Sequence, residues 1–162
     1  MSGQTFLYGL CKGIELKVSI QWEEGASFRA ETESGHVLRM DGPPDAGGRD
    51  TGPRPMEAIL MGTGACSGFH VVHILRKARQ DIVSCTVDMD AERATTDPQV
   101  FTRIHIHFVI TGRNLRQAQV QRAVDLSAEK YCSASIMLSK AVEITHDFEL
   151  REPQPDQCLV SG

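Results

Sequence analysis

PMEAILMGTGACSGFHVVHILRKAR, residues 55–79, is the stretch whose reading decides the fold. Proline opens it and a basic turn closes it, the two ends an α-helix favours. Between them it is apolar nearly all round, which in a helix signals burial on every side. At its centre Gly62, Thr63, Gly64, Ala65, Ser67 and Gly68 surround one thiol, Cys66. A glycine costs roughly 1 kcal/mol against alanine in a helix interior. So many small residues therefore imply another backbone, or a ligand, at close range.

Working back from the helix, DGPPDAGGRDTGPR (41–54) holds too many breakers for regular structure. It reads as a loop, either a surface connector or a lining for whatever the helix serves. Further upstream, Leu16, Val18, Ile20 and Trp22 alternate with polar residues, the pattern of a half-buried strand. Glu24-Gly25 turns the chain into a second strand at Phe28 and Ala30. Ser34-Gly35 turns it again towards Val37–Met40, completing a meander. Residues 1–15 show no periodicity and are expected to be a mobile leader in which Cys11 is incidental.

Working forward, Val83, Cys85, Val87 and Met89 alternate with Ser84, Thr86, Asp88 and Asp90, which places Cys85 in the core as a small hydrophobe. Asp97-Pro98 marks a turn. The next strand sets Thr102, Ile104, Ile106, Phe108 and Ile110 against Arg103, His105, His107 and Val109. Asn114 is expected to cap a second helix, with Gln117 completing a capping box. Val120, Ala123, Val124, Ser127 and Tyr131 keep helical spacing, and SASIMLSKA after Cys132 continues as a short helix. Val142, Ile144, His146, Phe148 and Leu150 form a last strand. The Pro-rich tail, 151–162, is expected to be disordered, leaving Cys158 exposed.

The order βββ-α-ββ-α-β predicts an α+β fold with antiparallel sheets, one domain over 16–150, and not a doubly wound nucleotide fold. A chain of 162 residues suits one domain. Its net charge of −4 gives no electrostatic case for nucleic acid or an anionic membrane. No uninterrupted apolar run reaches eighteen residues, and no signal-peptide pattern opens the chain, so a cytoplasmic, non-membrane location is expected. Five cysteines at no regular spacing argue against a secreted disulfide scaffold.

Chemistry therefore concentrates on the thiols. Neither Cys66 nor Cys132 lies in a CxxC pair. Two distant thiols suit one reaction, in which one is oxidised to a sulfenic acid and the other captures it as a disulfide; two unrelated buried cysteines are the plainer reading. Cys66, His70, His73 and Lys77 share a helix face, where a positive neighbour would favour the thiolate. His105-x-His107 could hold a metal together with Cys66 or His70, but nothing in the spacing requires one, and neither a metal nor an organic cofactor is expected.

Two segments carry a family resemblance. PMEAILMGTGACSG (55–68) resembles the central-helix signature of the OsmC/Ohr superfamily, the osmotically inducible and organic hydroperoxide resistance proteins. SAEKYCSASIML (127–138) resembles the motif around that family's second cysteine. With SIQW (19–22) and the ESGHVLRMDG hairpin (33–42), the likeness covers most of 16–150 and looks nearest to the YhfA-like branch. It implies an intertwined homodimer whose central helices pack together, with sheets wrapped around them. It also implies peroxidatic Cys66 and resolving Cys132, an arginine from the N-terminal strands (Arg29, or Arg54) and a glutamate early in the central helix. The substrate would be an organic hydroperoxide and the reductant a dithiol, a lipoyl-bearing protein as in some of the family. Where the family pattern places that glutamate, ten residues before the cysteine, this chain has Met56, and Glu57 follows one position later. A non-catalytic relative that binds a small apolar or thiol-reactive molecule at the dimer interface is the alternative.

Overall fold

The computed structural model describes residues 15–154. The leader, the last residues of the tail, Cys11 and Cys158 lie outside them. The chain divides into two compact units, residues 1–55 and 56–162.

The first unit is the expected meander. β1 (Val18–Glu24), β2 (Ser27–Thr32) and β3 (Val37–Met40) form an antiparallel sheet in that order. Trp22 pairs with Phe28, and Phe28 with Met40. Gly25 turns β1 into β2 with φ +54°, a conformation glycine adopts freely, and its carbonyl accepts the Trp22 indole N–H at 2.9 Å. The half-buried reading of β1 needs correction. Val18, Ile20 and Trp22 are 58–62% exposed, because no element of their own unit covers that face.

Asp41 organises the loop that follows. Its carboxylate accepts the N–H groups of Gly42 (2.8 Å), Arg49 (3.0 Å) and Thr51 (3.2 Å), and the Thr51 hydroxyl at 2.8 Å. The breaker-rich segment is thus a closed loop tied to one buried side chain.

In the second unit, α1 (Pro55–Lys77) is followed by β4 (Asp81–Arg93), β5 (Phe101–Arg113), α2 (Gln117–Leu126), α3 (Ser133–Leu138) and β6 (Glu143–Arg151). The three strands form one sheet with β5 in the middle. Ile104, Ile106, Phe108 and Ile110 of β5 pack with Val71 and Leu75 of α1 and Val120, Ala123 and Val124 of α2 in the core. β4 and β5 make the expected antiparallel hairpin, but β6 runs parallel to β5. The chain between them crosses over through both short helices, as a parallel connection requires. An alternating strand shows which residues share a face and says nothing of its partner's direction, so the all-antiparallel expectation was incomplete.

Two local expectations also fail. Asn114 does not cap α2. It takes φ +51° and the N-cap is Arg116, with no side-chain bond to the helix end. Between α2 and α3, Ser127–Tyr131 forms a single π turn, where one continuous helix was expected. The central helix is not buried all round within this chain either. Thr63, Gly64, Ser67, Gly68, Val71 and Leu75 form its buried stripe, while Ile59, Met61 and Phe69 are 43–65% exposed. One 18-residue window of α1 has a mean hydropathy of 1.5, a level that a core helix reaches as well as a membrane span. Its buried stripe packs against strands and helices of its own unit, as a core helix does.

Candidate active site

The π turn ends at Cys132, the N-cap of α3, whose sulfur accepts the Ser135 N–H at 3.4 Å. From the buried stripe of α1, the Ser67 hydroxyl reaches the same sulfur at 3.1 Å. The Ser135 hydroxyl stands 3.2 Å from it, and the two hydroxyls are 2.9 Å apart. Two hydroxyl protons serve three contacts, so at least one hydroxyl always points at sulfur while the other donates to sulfur or to its neighbour. The Ser127 hydroxyl donates to the Ser67 carbonyl at 3.0 Å, pinning the π turn to α1. Cys132 is wholly buried.

Cys66 lies one residue before Ser67 and is half-buried. It neighbours Cys132 and the backbone N–H groups of Ala134 and Ser133 closely enough for all three to act on its ionisation. The structure therefore brings the two sequence-selected cysteines together, both reduced. Burial raises the Cys66 thiol, the N–H groups pull it down, and the neighbouring Cys132 sulfur raises it again; the balance lies above the ordinary thiol value. At Cys132 burial also acts upwards, but Ser135, Ser67 and the Cys66 thiol outweigh it and hold the group below the ordinary value. In the pair, the buried sulfur is the one prepared to carry negative charge.

His70 and His73, on the Cys66 face of α1, have aromatic neighbours. The groove beside His70 and His73 is lined by Phe69, Ile74, Lys77 and Tyr131. Phe69 stacks on His73 with centroids 5.9 Å apart, and His70 lies 6.1 Å from the Tyr131 ring. Aromatic neighbours hold these rings, and the leading influences on Cys66 are burial, Cys132 and the backbone of Ala134 and Ser133. Glu57 sits in the first turn of α1, beside a groove of about 610 Å³ that runs past Leu60, Met61, Gly64 and Phe69 to Val87 and Met89 of β4. Nine residues of helix turn through about 900°, which leaves Glu57 half a turn out of phase with Cys66. Arg29 belongs to the first unit, where it pairs with Glu31 at 2.7 Å, and Arg54 directly precedes α1. Ser67 and Ser135 were not singled out from sequence. Ser67 lay inside the small-residue run and Ser135 three positions beyond the second cysteine, and only the tertiary fold joins them.

His105 and His107 gather with Asp147, not with Cys66 or His70; the three form the one candidate metal-ligating group among the described residues. Cys85 packs against the core, and burial raises its thiol.

Comparison with known proteins agrees with this fold. The OsmC-like protein family matches residues 47–147. The chain is 50% identical over 135 residues to protein YhfA of Escherichia coli K12, covering 83% of this chain and 98% of that one. A hypothetical protein from Aquifex aeolicus VF5 superposes with a TM-score of 0.76 at 28% identity, over 87% of this chain and 99% of that chain. An organic hydroperoxide resistance protein OsmC from Legionella pneumophila shares the fold, with a TM-score of 0.63 at 16% identity over 84% and 97% of the two chains. A matched family segment that spans both the central helix and the second thiol, together with a half-identical relative, makes this chain a member of the OsmC-like protein family.

Proposed function

We propose that the protein is a cysteine-based thiol peroxidase that reduces organic hydroperoxides as a homodimer, with Cys66 peroxidatic and Cys132 resolving. The observation that carries this reading is the half-buried Cys66 thiol beside a buried sulfur already supplied with hydroxyl and amide donors. Cys132 takes the Cys66 proton. The Cys66 thiolate attacks the distal peroxide oxygen, the O–O bond breaks, and the alcohol leaves with a proton, giving the sulfenic acid. Cys132 then attacks the Cys66 sulfur, forming the disulfide and releasing water. A cellular dithiol, such as a protein-bound lipoyl group, reduces that disulfide. No metal or organic cofactor enters these steps.

The homodimer rests on apolar side chains left uncovered in both units: Ile20 and Trp22 on β1, and Ile59, Met61 and Phe69 on α1. A helix apolar on every side needs cover on every side, and a second copy of α1 offers a matching surface. Arg29 and Glu57 are the arginine and glutamate assigned to hold and activate the thiolate. A second reading, a binding protein without turnover, is favoured by the largely apolar groove beside Glu57.

The test titrates the reduced protein with cumene hydroperoxide and with hydrogen peroxide, following each thiol by mass spectrometry. The peroxidase should lose Cys66 and Cys132 together, as a disulfide, at about one equivalent of the organic peroxide. Both thiols staying reduced in excess of either oxidant would reject it, as would full turnover in Cys66→Ser. Unreacted thiols with saturable uptake of an apolar fluorescent probe would point to the binding protein.

A further inference from the structure

The face of the β4–β5–β6 sheet turned away from α1 carries a second set of reactive side chains. Alternation sends Ile104, Ile106 and Phe108 into the core and leaves His105 and His107 on the opposite face. Register fixes their neighbours. His107 stands across from Asp88 of β4 and Asp147 of β6, and His105 across from Asp90 and Thr145.

The side chains converge. His107 Nδ1 is 2.5 Å from Asp147 Oδ1, and His105 Nε2 is 3.4 Å from the same oxygen. One ligand atom from each of the three residues lies within 4.8 Å of the other two. The other nitrogen of His105 is also held, with Nδ1 2.8 Å from the Thr145 hydroxyl, while Glu149, 4.0 Å from His107 Nε2, is paired with Arg151 at 2.8 Å. A simple surface ladder would need only the His107–Asp147 bond. It leaves unexplained why His105, with Thr145 already on one nitrogen, turns the other to the same carboxylate.

A metal ion explains the convergence. Ligating imidazoles typically hold their second nitrogen on a hydroxyl, carbonyl or carboxylate. Bonds of about 2.0–2.1 Å set tetrahedral ligands about 3.3 Å apart. The His105–Asp147 spacing already matches. The His107–Asp147 contact must open by about 0.8 Å, and Asp147, 59% exposed on an edge strand, has room to move.

We infer that His105, His107 and Asp147 bind a divalent first-row transition ion, such as Zn²⁺, with Thr145 positioning the His105 imidazole and water at the fourth place. Two nitrogens and one carboxylate suit a borderline ion and disfavour Mg²⁺ and Ca²⁺, which take oxygen ligands. Asp88 and Asp90 add negative charge on the same face. The thiol pair lies on the α1 side of the sheet, so the site stands or falls apart from the peroxidase reading.

Isothermal titration of the reduced full chain with Zn²⁺, with Mg²⁺ as control, tests it. One saturable Zn²⁺ site per chain is expected, without a Mg²⁺ counterpart, and retained in Cys66→Ser/Cys132→Ser. His107→Ala and Asp147→Asn should each weaken it at least about tenfold, and Thr145→Val about tenfold. Co²⁺ should give a visible ligand-field band that His105→Ala abolishes. Circular dichroism establishes that each variant is folded. Equal Zn²⁺ affinity in wild type and the histidine variants overturns the inference. So does a site that disappears with the cysteines, or the absence of any saturable Zn²⁺ binding.

Discussion

At Cys132 three donors meet one sulfur, and none of them is a full charge. Hydroxyl and amide dipoles do here what a lysine or imidazole does elsewhere, and do it in a place water does not reach. Because its pKa is lowered, the thiolate contributes stability that is complete above the ordinary thiol value and lost as the pH falls through the lowered one. Ser135→Ala removes one donor. The first thiol ionisation, followed by ultraviolet thiolate absorbance, should move to higher pH, and Cys66 oxidation should slow about tenfold, the kinetic equivalent of ~1.4 kcal/mol. An unchanged or lower ionisation midpoint would remove the serines from the mechanism. Sequence disclosed both thiols, because each sits in a distinctive segment. It did not disclose the serines, since residues 67 and 135 are ordinary until two helices bring their hydroxyls within 2.9 Å.

The elements were more legible than their partners. Alternation found β4, β5 and β6, and the stretch 55–79 found α1, which begins at Pro55 and ends two residues earlier, at Lys77. What alternation lacks is direction, hence the parallel β6. Cap chemistry misled at Asn114 because an asparagine before a helix also suits the left-handed backbone it adopts. Two of the small residues of α1, Gly64 and Gly68, find a nearer explanation than a second helix. A Cβ on Gly68 would stand 2.9 Å from Val87 Cγ2, and one on Gly64 would stand 3.1 Å from Met89 Cγ, both on β4. Gly68→Ala should therefore destabilise by about 1–3 kcal/mol despite its better helix propensity, read as a lower urea midpoint. A raised midpoint would show that the strand yields.

The loop at Asp41 offers a separate check. The Thr51 hydroxyl, opposed by burial and joined by the N–H groups of Thr51, Arg49 and Gly42, holds that carboxyl down to about 2. The stability it contributes is complete above the ordinary carboxyl value of about 3.9 and lost as the pH falls towards 2. Asp41→Asn presents an amide to donors that want an acceptor. It should lower stability at neutral pH and flatten the decline between about pH 4 and 2, followed by acid unfolding.

For the whole molecule, the uncovered faces of β1 and α1 argue for self-association. Wild type should sediment as a dimer at micromolar concentration, and Phe69→Asp should shift it towards monomer by placing a charge in the contact. A monomeric wild type would return those faces to ligand binding. The parallel pairing of β6 has a consequence of another kind. β4 and β5 are joined by a short connection and can zip from their turn, but β6 meets β5 only after residues 114–142 have been threaded past the sheet. Closing so long a loop costs chain entropy before any strand contact rewards it. The hairpin should therefore form early and β6 dock late, which leaves one edge of β5, the most buried strand, open to wrong partners while the crossover is still unfolded.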